Sequence, residues 1–280
     1  MARAYKIALI GGGNMGGALA AGWLRTKRSA VEARDLLVID PSPGDTVQEL
    51  ADSAGITVRP ELTPELATEL DLLVFAVKPA RFQPVAAAMA GSLPDTTGVL
   101  SIMAGVTINH MVMALGDRAM VRAMPNTAAA VGAGVTVCVA NEAGVALEKT
   151  VTRLMKVAGS VEWVSDERMI GAVTAVSGSG PAYVFLLAEA LAGAAFAEGL
   201  PRDLADKLAR ETIIGAGALL AKSGKSPQEL RRAVTSPNGT TQAAVDVLMG
   251  AGGGLPELVR QAVAAAERRS RQISQDPGKR

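Results

Sequence analysis

Ile-Gly-Gly-Gly-Asn-Met-Gly-Gly, residues 10–17, is the stretch that decides the fold, because it joins an apolar, strand-like run to a helical pattern. Gly11, Gly13 and Gly16 match the spacing G-x-G-x-x-G. In that pattern the first glycine permits a tight turn, the second lets the backbone approach a pyrophosphate, and the third lets helix and strand pack closely. The anion then lies at the helix N-terminus, where free N–H groups and the helix dipole favour negative charge. The stretch therefore predicts a dinucleotide site, with a turn that serves packing alone as the alternative.

The sequence on either side of this turn alternates between short apolar runs and amphipathic segments. Strands are predicted at residues 5–10, 36–39, 72–76, 99–102, 119–123 and 135–140. Helices are predicted between the early strands, at residues 15–26, 46–54, 64–69 and 81–90. Such alternation is typical of a mostly parallel sheet with helices on both of its faces.

The character of the sequence changes after Trp163, where strand-like runs end. Glycines separate the remaining segments, for which helices are predicted at 167–176, 179–198, 201–221, 227–234, 239–249 and 256–271. We therefore predict an α/β protein with a Rossmann-like, mostly parallel sheet domain at residues 1–163. An all-helical domain is predicted to follow it at residues 164–280.

Composition and charge exclude several classes of protein. The chain carries 28 basic and 27 acidic residues, a net charge of +1, so it has no electrostatic footprint for nucleic acid. Cys138 is the only cysteine, which excludes an intrachain disulfide and a cysteine-based zinc cluster, and we predict no metal site. The most apolar long stretch, 181–197, contains Glu189 and is short for a membrane span. With no visible signal peptide, the sequence predicts a cytoplasmic protein that has no membrane partner.

An acidic residue, Asp40, ends the second predicted strand, about where an acid meets the adenine ribose of a bound dinucleotide. A carboxylate there favours NADH over NADPH, because it repels a 2′-phosphate. Asp40 also begins the turn Asp-Pro-Ser-Pro, which is sufficient reason for an aspartate at this position. Ser42 can donate a hydrogen bond to a 2′-phosphate, so the choice between NADPH and NADH stays open.

Four further segments carry a family resemblance when they are taken with the glycine turn. They are Ala-Val-Lys-Pro at 76–79, Arg-Ala-Met-Pro-Asn-Thr at 122–127, Ser-Gly-Ser-Gly-Pro-Ala-Tyr-Val-Phe at 177–185 and Val-Thr-Ser-Pro-Asn-Gly-Thr-Thr at 234–241. In this order, across residues 6 to about 270, the chain resembles the pyrroline-5-carboxylate reductases. It departs from the family pattern at Ala128, where the family usually has proline, and at Asn238, where it usually has glycine. Because Asn tolerates a left-handed backbone, the second change can leave the loop shape intact.

The resemblance implies a helical dimerisation domain that interlocks with a second subunit. It implies NADPH or NADH as the cofactor and a small imino acid as the substrate, which would lie near the dimer interface between the nicotinamide and the 239–241 segment. The implied reaction is the reduction of 1-pyrroline-5-carboxylate to L-proline, the last step of proline biosynthesis. A related imine reductase or a β-hydroxy-acid dehydrogenase is the alternative enzyme. A non-enzymatic module that binds the dinucleotide is a further alternative.

The 236–241 segment supplies the chemistry expected at the substrate. A helix start after Pro, Asn and Gly presents unpaired backbone N–H groups, which suit the substrate carboxylate. Gly239, Thr240 and Thr241 are the predicted substrate-binding residues there. Thr241 is also the predicted catalytic residue, because its hydroxyl can hydrogen-bond the ring nitrogen that gains a proton as hydride reaches carbon. Plain capping of the helix by threonine is the alternative.

The cofactor is expected along the carboxyl ends of the strands, where open α/β sheets bind ligands. The predicted cofactor-binding residues are Gly11, Gly13, Asn14, Met15, Gly16, Asp40, Ser42, Thr63, Ala76, Val77, Lys78, Pro79, Ile102, Met103, Ala104 and Asn126. Helix capping is the alternative for Thr63, and a turn is the alternative for Asn126. Asp166 is predicted to be a substrate-binding residue from the resemblance, with helix capping as its alternative.

Several residues bear on the competing hypotheses. The single histidine, His110, lies far from these motifs, and the lack of an obvious histidine base fits an imine, which can arrive protonated on nitrogen. A β-hydroxy-acid dehydrogenase would need a catalytic lysine in the helical half, where Lys207 and Lys222 are available. Gly178 and Gly180 would allow the nicotinamide or a partner surface to approach, with helix–helix packing of small residues as the alternative. The Ala-rich helices of this half expose more apolar surface than one copy is expected to cover, which predicts an obligate homodimer with the option of a higher assembly.

Overall fold

The computed structural model describes residues 6–26 and 31–275 and contains one sheet of eight strands in this part of the chain. The strands are β1 (Ile7–Ile10), β2 (Leu36–Ile39), β3 (Thr57–Arg59), β4 (Leu72–Phe75), β5 (Gly98–Ser101), β6 (Met120–Met124), β7 (Gly134–Ala140) and β8 (Gly159–Trp163). Their order across the sheet is β3-β2-β1-β4-β5-β6-β7-β8. Every neighbouring pair is parallel except β6 and β7. The predicted mostly parallel sheet is confirmed.

Six of the eight strands match the predicted ones, and where their ends differ the shift is one residue in all but the first. Tyr5, which the prediction included in the first strand, lies outside the described residues. The prediction missed β3 and β8, whose residues are half-buried or exposed. Edge strands are often short and polar or charged, which discourages pairing with another chain, so they leave no apolar run to mark them in a sequence.

Helices connect the strands and cover both faces of the sheet. In the first part of the chain they are α1 (Asn14–Arg25), α2 (Asp45–Ala54), α3 (Pro64–Ala67), α4 (Phe82–Met89), α5 (Ile108–Leu115) and α6 (Glu148–Met155). Within β1, Ile7 and Leu9 belong to one buried cluster, while Ala8 and Ile10 belong to another. Since successive side chains of a strand point to opposite faces, the sheet has a core on each side.

Residues 167–178 are helical but pack with the sheet. After a short 3₁₀ helix at Glu167–Met169 come α7 (Ile170–Val173) and a π-helix at Thr174–Gly178, where the prediction had one continuous helix. Ile170 is fully buried in a small cluster with Val137 and Val139 of β7. The chain contacts therefore form one compact unit of Met1–Gly178 with Ala266–Arg280 and another of Ser179–Ala265. The domain boundary at residues 163 and 164 stays a prediction.

The second part of the chain forms five more helices, each within a few residues of a predicted one. They are α8 (Gly180–Ala197), α9 (Arg202–Lys222), α10 (Pro227–Ala233), α11 (Thr240–Leu248) and α12 (Leu255–Gln275). At α10, Ser226 and Glu229 form a capping box and Pro227 occupies the first turn, which fixes where the helix begins.

The unit of residues 179–265 leaves much apolar surface in solvent. α8 and α9 pack against each other, yet α8 buries only Ala192 while Phe185 and Leu186 are 67% and 63% exposed. The apolar run 181–197 was expected to be too short to span a membrane. In the described chain this run is the end of a longer helical stretch, Glu167–Ala197. By length and composition alone that stretch could cross a membrane, and 6% of its most apolar part is buried.

Candidate functional site

The glycine turn is built so that two of its glycines admit no side chain. Gly11 follows β1 with a φ of 105°, and a Cβ on it would lie 2.8 Å from the backbone of Ala76. A Cβ on Gly16 would lie 2.1 Å from the carbonyl oxygen of Gly11, so the third glycine lets α1 approach the turn. Gly13 is different, because a Cβ on it would meet no described atom within 4 Å beyond its own chain neighbours. The turn therefore has an open side at Gly13, as a pyrophosphate requires.

The N-terminus of α1 adds a second feature that suits an anion. Gly13 is the N-cap and provides no side-chain hydrogen bond, and the first turn of α1 holds no acidic residue. Asn14 is exposed and Met15 is half-buried beside it. The first backbone N–H groups of a helix lack partners within the helix, so they are available to a phosphate. The residues present fit the diphosphate of a dinucleotide.

Asp40 braces the glycine turn. Its Oδ2 accepts a 2.6 Å hydrogen bond from the backbone N–H of Gly12, and its Oδ1 accepts a 2.9 Å hydrogen bond from that of Ser42. The turn at residues 40–43 predicted as one reason for this aspartate is present. Each carboxylate oxygen can accept a further hydrogen bond, so Asp40 can brace the turn and also accept a hydrogen bond from an adenine ribose.

A cavity of about 590 Å³ lies at the carboxyl ends of β1, β2 and β4. Six of the predicted cofactor residues line it, namely Gly11, Gly13, Asp40, Ala76, Val77 and Lys78. Glu61 and Arg81 also line it and were not predicted. Arg81 ends a short 3₁₀ helix, Pro79–Arg81, that follows β4, and this position just beyond a strand end was the signal for it.

Another cavity, of about 740 Å³, lies at the opposite end of α1 and includes Arg25, Lys149, Arg153 and Lys156 in its lining. It contains none of the predicted site residues. Since the C-terminus of α1 lies near the amino ends of the strands, this larger cavity is on the side of the sheet where α/β proteins do not hold their dinucleotides.

The segments predicted after β4, β5 and β6 leave the sheet at one edge. Phe75 pairs with Ser101 and Ser101 pairs with Arg122, so residues 76–79, 102–104 and 125–126 follow adjacent strand ends. Ile102 and Met103 are 8% and 3% exposed and contribute mainly backbone to this edge. Two further predicted residues make hydrogen bonds within the fold. Thr63 caps α3 by accepting from Leu66 N–H, and Oδ1 of Asn126 accepts from Val135 N–H.

Asp166 and Glu167 lie at the start of the short 3₁₀ helix. Asp166 accepts hydrogen bonds from the side chain and the backbone N–H of Arg168, and these lower the pKa of its carboxyl group. Asp166 therefore caps the 3₁₀ helix, as the alternative to substrate binding predicted. Glu167 Oε1 accepts from Arg122 Nη1 at 2.8 Å and from Ile108 N–H at 2.9 Å. Arg122 is 4% exposed, and this buried ion pair was not predicted from the sequence.

The segment before α11 has the shape that the sequence predicts. Asn238 has a φ of 60°, so it occupies the left-handed region that asparagine tolerates. Gly239 is the N-cap of α11, and neither threonine that follows caps the helix with its side chain. Thr241 is half-buried and Thr240 is exposed. This segment belongs to the unit of residues 179–265, whereas the glycine turn belongs to the other unit.

Known proteins match this chain over nearly its whole length. A family model described as pyrroline-5-carboxylate reductase dimerisation matches residues 167–273, and one described as NADP oxidoreductase, coenzyme F420-dependent, matches residues 6–105. The pyrroline-5-carboxylate reductase of Pseudomonas aeruginosa is 37% identical over 275 residues, which is 98% of each chain. That of Escherichia coli is 41% identical over 246 residues, covering 87% of this chain and 89% of its own.

Solved structures agree with the sequence comparisons. A pyrroline-5-carboxylate reductase from Coxiella burnetii superposes with a TM-score of 0.88 at 34% identity and covers 97% of this chain and 99% of its own. The Plasmodium falciparum enzyme, crystallised with NADP bound, gives a TM-score of 0.80 at 29% identity, with coverage of 96% and 98%. On these matches, together with the glycine turn and the helical dimerisation region, the chain belongs to the pyrroline-5-carboxylate reductase family.

Proposed function

We propose that the chain reduces the C=N bond of 1-pyrroline-5-carboxylate to give L-proline, the last step of proline biosynthesis, with NADPH or NADH as reductant. Membership of the reductase family supports the reaction. The observation that carries the proposal is the open side of the turn at Gly13, at the carboxyl edge of the sheet, between the close contacts of Gly11 and Gly16. A binding protein that held no dinucleotide would have no need of this combination.

The cofactor supplies a hydride to the imine carbon when it is bound. The residues proposed to hold it fall into groups along the strand ends. They are the turn Gly11, Gly13, Asn14, Met15 and Gly16; the adenosine side Asp40, Ser42 and Thr63; and the later strand ends Ala76, Val77, Lys78, Pro79, Ile102, Met103, Ala104 and Asn126. The backbone at these strand ends would orient the nicotinamide ring toward the substrate.

The substrate is proposed to bind at the start of α11. The backbone N–H groups of the first helical turn, beginning with Thr240, suit the substrate carboxylate, since a helix N-terminus favours an anion. Gly239, which has no side chain, lets the carboxylate approach them. Thr241 is proposed to hydrogen-bond the ring nitrogen and to hold the proton there as the nitrogen gains electrons. Its hydroxyl does not cap the helix, because Gly239 occupies the cap position.

Asp166 is proposed as a further residue near the substrate. The hydrogen bonds from Arg168 lower the pKa of its carboxyl group and keep it ionised. An ionised carboxylate at this place attracts the protonated imine nitrogen rather than the substrate carboxylate. Asp166 would therefore favour the form of the substrate that accepts hydride.

The chain forms a homo-oligomer through its dimerisation region. We place the active site near the interface of the dimer, so that the 239–241 segment of one copy serves a cofactor site. The exposed apolar side chains of α8 and α9 support this arrangement, because burying them against a second copy removes them from water. On the same ground we propose a soluble, cytoplasmic protein whose apolar helices contact protein rather than lipid.

Consumption of reduced cofactor tests the proposed reaction. The purified full chain is mixed with 1-pyrroline-5-carboxylate and either NADPH or NADH, and the loss of nicotinamide absorbance is compared with the amount of proline formed. We expect the amount of reduced cofactor consumed to equal the amount of proline formed. Oxidation of a β-hydroxy acid by NADP or NAD, with no imine reduction, would instead favour the dehydrogenase alternative. Dinucleotide binding without turnover of any imine or hydroxy acid would favour the non-enzymatic module.

A further inference from the structure

A short π-helix at Thr174–Gly178 contains a hydroxyl group that the folded chain leaves without a partner. Oγ of Ser177 is buried and, among the residues that the structure describes, accepts and donates no hydrogen bond. Buried polar groups in native proteins are nearly always paired, so an unpaired one calls for an explanation. π-Helical turns are rare and occur frequently at functional sites. The two features coincide in the Ser-Gly-Ser-Gly motif at residues 177–180.

The π-helix is fixed against β6. A Cβ on Gly178 would lie 2.9 Å from Cε of Met124, the last residue of that strand. Met124 and Val173 both pack on the cluster that contains Ile170. Seven residues before the π-helix, Glu167 is tied to the same strand by its ion pair with Arg122. Ser177 therefore lies close to the carboxyl end of β6.

The carboxyl end of β6 belongs to the half of the sheet that is expected to hold the nicotinamide. In a Rossmann-like sheet the two halves bind one mononucleotide each. We place the diphosphate at the glycine turn after β1, and the cavity beside β2 is lined by Asp40, the residue expected near the adenine ribose. The strands β4, β5 and β6 form the other half, next to β1 on its opposite side.

We propose that the Ser177 hydroxyl hydrogen-bonds the carboxamide of the bound nicotinamide and so positions the ring. The inference rests on the proposed function in that it requires a nicotinamide cofactor. A carboxamide offers both a donor and an acceptor, and a serine hydroxyl can meet either. Its Oγ is enclosed but Ser177 as a residue is half-buried, and the proposal requires the hydroxyl to turn about χ1 to another staggered rotamer when the nicotinamide binds. The free protein tolerates an unpaired hydroxyl that the ligand then pairs.

Thr136 offers a matched control. Its Oγ1 is also buried without a partner among the described residues, and the residue is 1% exposed in the middle of β7. Its neighbour Val137 faces the cluster with Ile170, so Thr136 points to the opposite face of the sheet. Replacing Thr136 by valine removes a comparable hydroxyl that no ligand can reach.

The experiment compares Ser177→Ala with Thr136→Val in the full chain. Both variants are expected to raise the Tm of the unliganded protein, because each removes a buried hydroxyl that has no partner. Dissociation constants are then measured for NADPH, for NADH and for ADP-ribose, which lacks the nicotinamide. Ser177→Ala is expected to weaken binding of the better dinucleotide by roughly three- to tenfold, the equivalent of one hydrogen bond, and to leave ADP-ribose binding unchanged. Thr136→Val is expected to change none of these constants.

Wild-type dinucleotide affinity in Ser177→Ala would overturn the inference, as would an equal loss of affinity for ADP-ribose. These binding measurements need no turnover. A wild-type chain that binds the dinucleotide, shows the Ser177 effect and yet reduces no imine would contradict the proposed reaction while leaving the role of Ser177 intact. If the chain turns over 1-pyrroline-5-carboxylate and Ser177→Ala binds the dinucleotides as the wild type does, the proposed reaction stands and the role of Ser177 is contradicted.

Discussion

Nη1 of Arg122 lies 2.8 Å from Oε1 of Glu167, and this pair joins β6 to the segment that leads into the π-helix. The same carboxylate oxygen accepts the backbone N–H of Ile108 at the start of α5. One acidic side chain thus fixes three parts of the chain around the carboxyl half of the sheet. The arginine is almost fully buried, so its charge depends on this partner for compensation.

Arg122→Met is expected to lower the free energy of unfolding by about 3 kcal/mol, the low end for a broken buried pair, because Glu167 keeps some contact with water. Arg202→Met is the matched control, since Arg202 also pairs with an acid, Asp206, but both side chains are more than half exposed. The control should change stability by less than about 1 kcal/mol. Denaturant unfolding of both variants gives the comparison. Equal effects would show that the Arg122 pair contributes no more than a surface pair.

Gly16→Ala and Gly13→Ala are expected to damage the protein in different ways. The added Cβ of Gly16→Ala meets the carbonyl oxygen of Gly11, so we expect a loss of about 3 kcal/mol in stability, the upper range for overpacking. Gly13→Ala has no such clash and should lose at most about 1 kcal/mol in stability, because alanine is a poorer N-cap than glycine, but its methyl group occupies the open side of the turn. Its dinucleotide affinity should fall by about tenfold or more. Unaltered affinity in Gly13→Ala would remove the diphosphate from this turn.

Thr241→Ala is expected to reduce turnover about 10²-fold, the low end for the loss of a group that handles a proton. Thr241→Ser keeps the hydroxyl and should retain most of the activity. Because Gly239 and not Thr241 caps α11, neither change should alter the Tm appreciably. Steady-state kinetics with 1-pyrroline-5-carboxylate checks both variants. An alanine variant with the turnover and Michaelis constant of the wild type would exclude Thr241 from the reaction.

Leu186→Glu is expected to weaken the dimer, since this side chain is 63% exposed on α8 in the single chain and a buried carboxylate would lack a partner. Met113→Glu is the control, because Met113 is 77% exposed on α5 in the other compact unit. Sedimentation over a range of protein concentrations distinguishes the two. A dimer unaffected by Leu186→Glu would place the interface elsewhere than on this face of α8.

Cys138 is expected to resist alkylation in the folded protein. Burial raises the pKa of its thiol from the ordinary 9.0 to about 12, so the reactive thiolate is scarce at neutral pH. Unfolding restores the ordinary pKa, and the unfolded chain therefore gains from ionisation once the pH exceeds about 9. Stability from this group is complete below that pH and falls above it. Rapid labelling by iodoacetamide without denaturant would contradict the burial of Cys138.

The sequence was sufficient for the features that depend on local chemistry. Four-residue apolar runs such as Leu72–Phe75 predicted the buried strands, because both faces of a parallel sheet require apolar side chains. The glycine spacing at residues 11–16 predicted the turn, since only glycine fits next to Ala76 and Gly11. Asn238 in place of glycine correctly indicated a left-handed backbone position.

Features that depend on what lies opposite a residue were beyond reach of the sequence. The strands β3 and β8 have too few buried side chains to form an apolar run, and they exist because β2 and β7 offer them unpaired backbone groups. The helix predicted through residues 167–176 becomes a 3₁₀ turn, one α-helical turn and a π-helix. It changes its winding while its ends are held to β6 by Glu167 and Gly178.

The amino-acid sequence by itself determined the alternation of strands and helices, the glycine turn and the apolar character of the later helices, because each follows from steric and hydrophobic properties of neighbouring residues. Only the tertiary structure decided that Arg122 meets Glu167 and that, among the residues it describes, the hydroxyl of Ser177 is left without a partner. Such contacts join residues far apart in the chain, and their geometry exists only once the sheet has brought the strand ends to one edge.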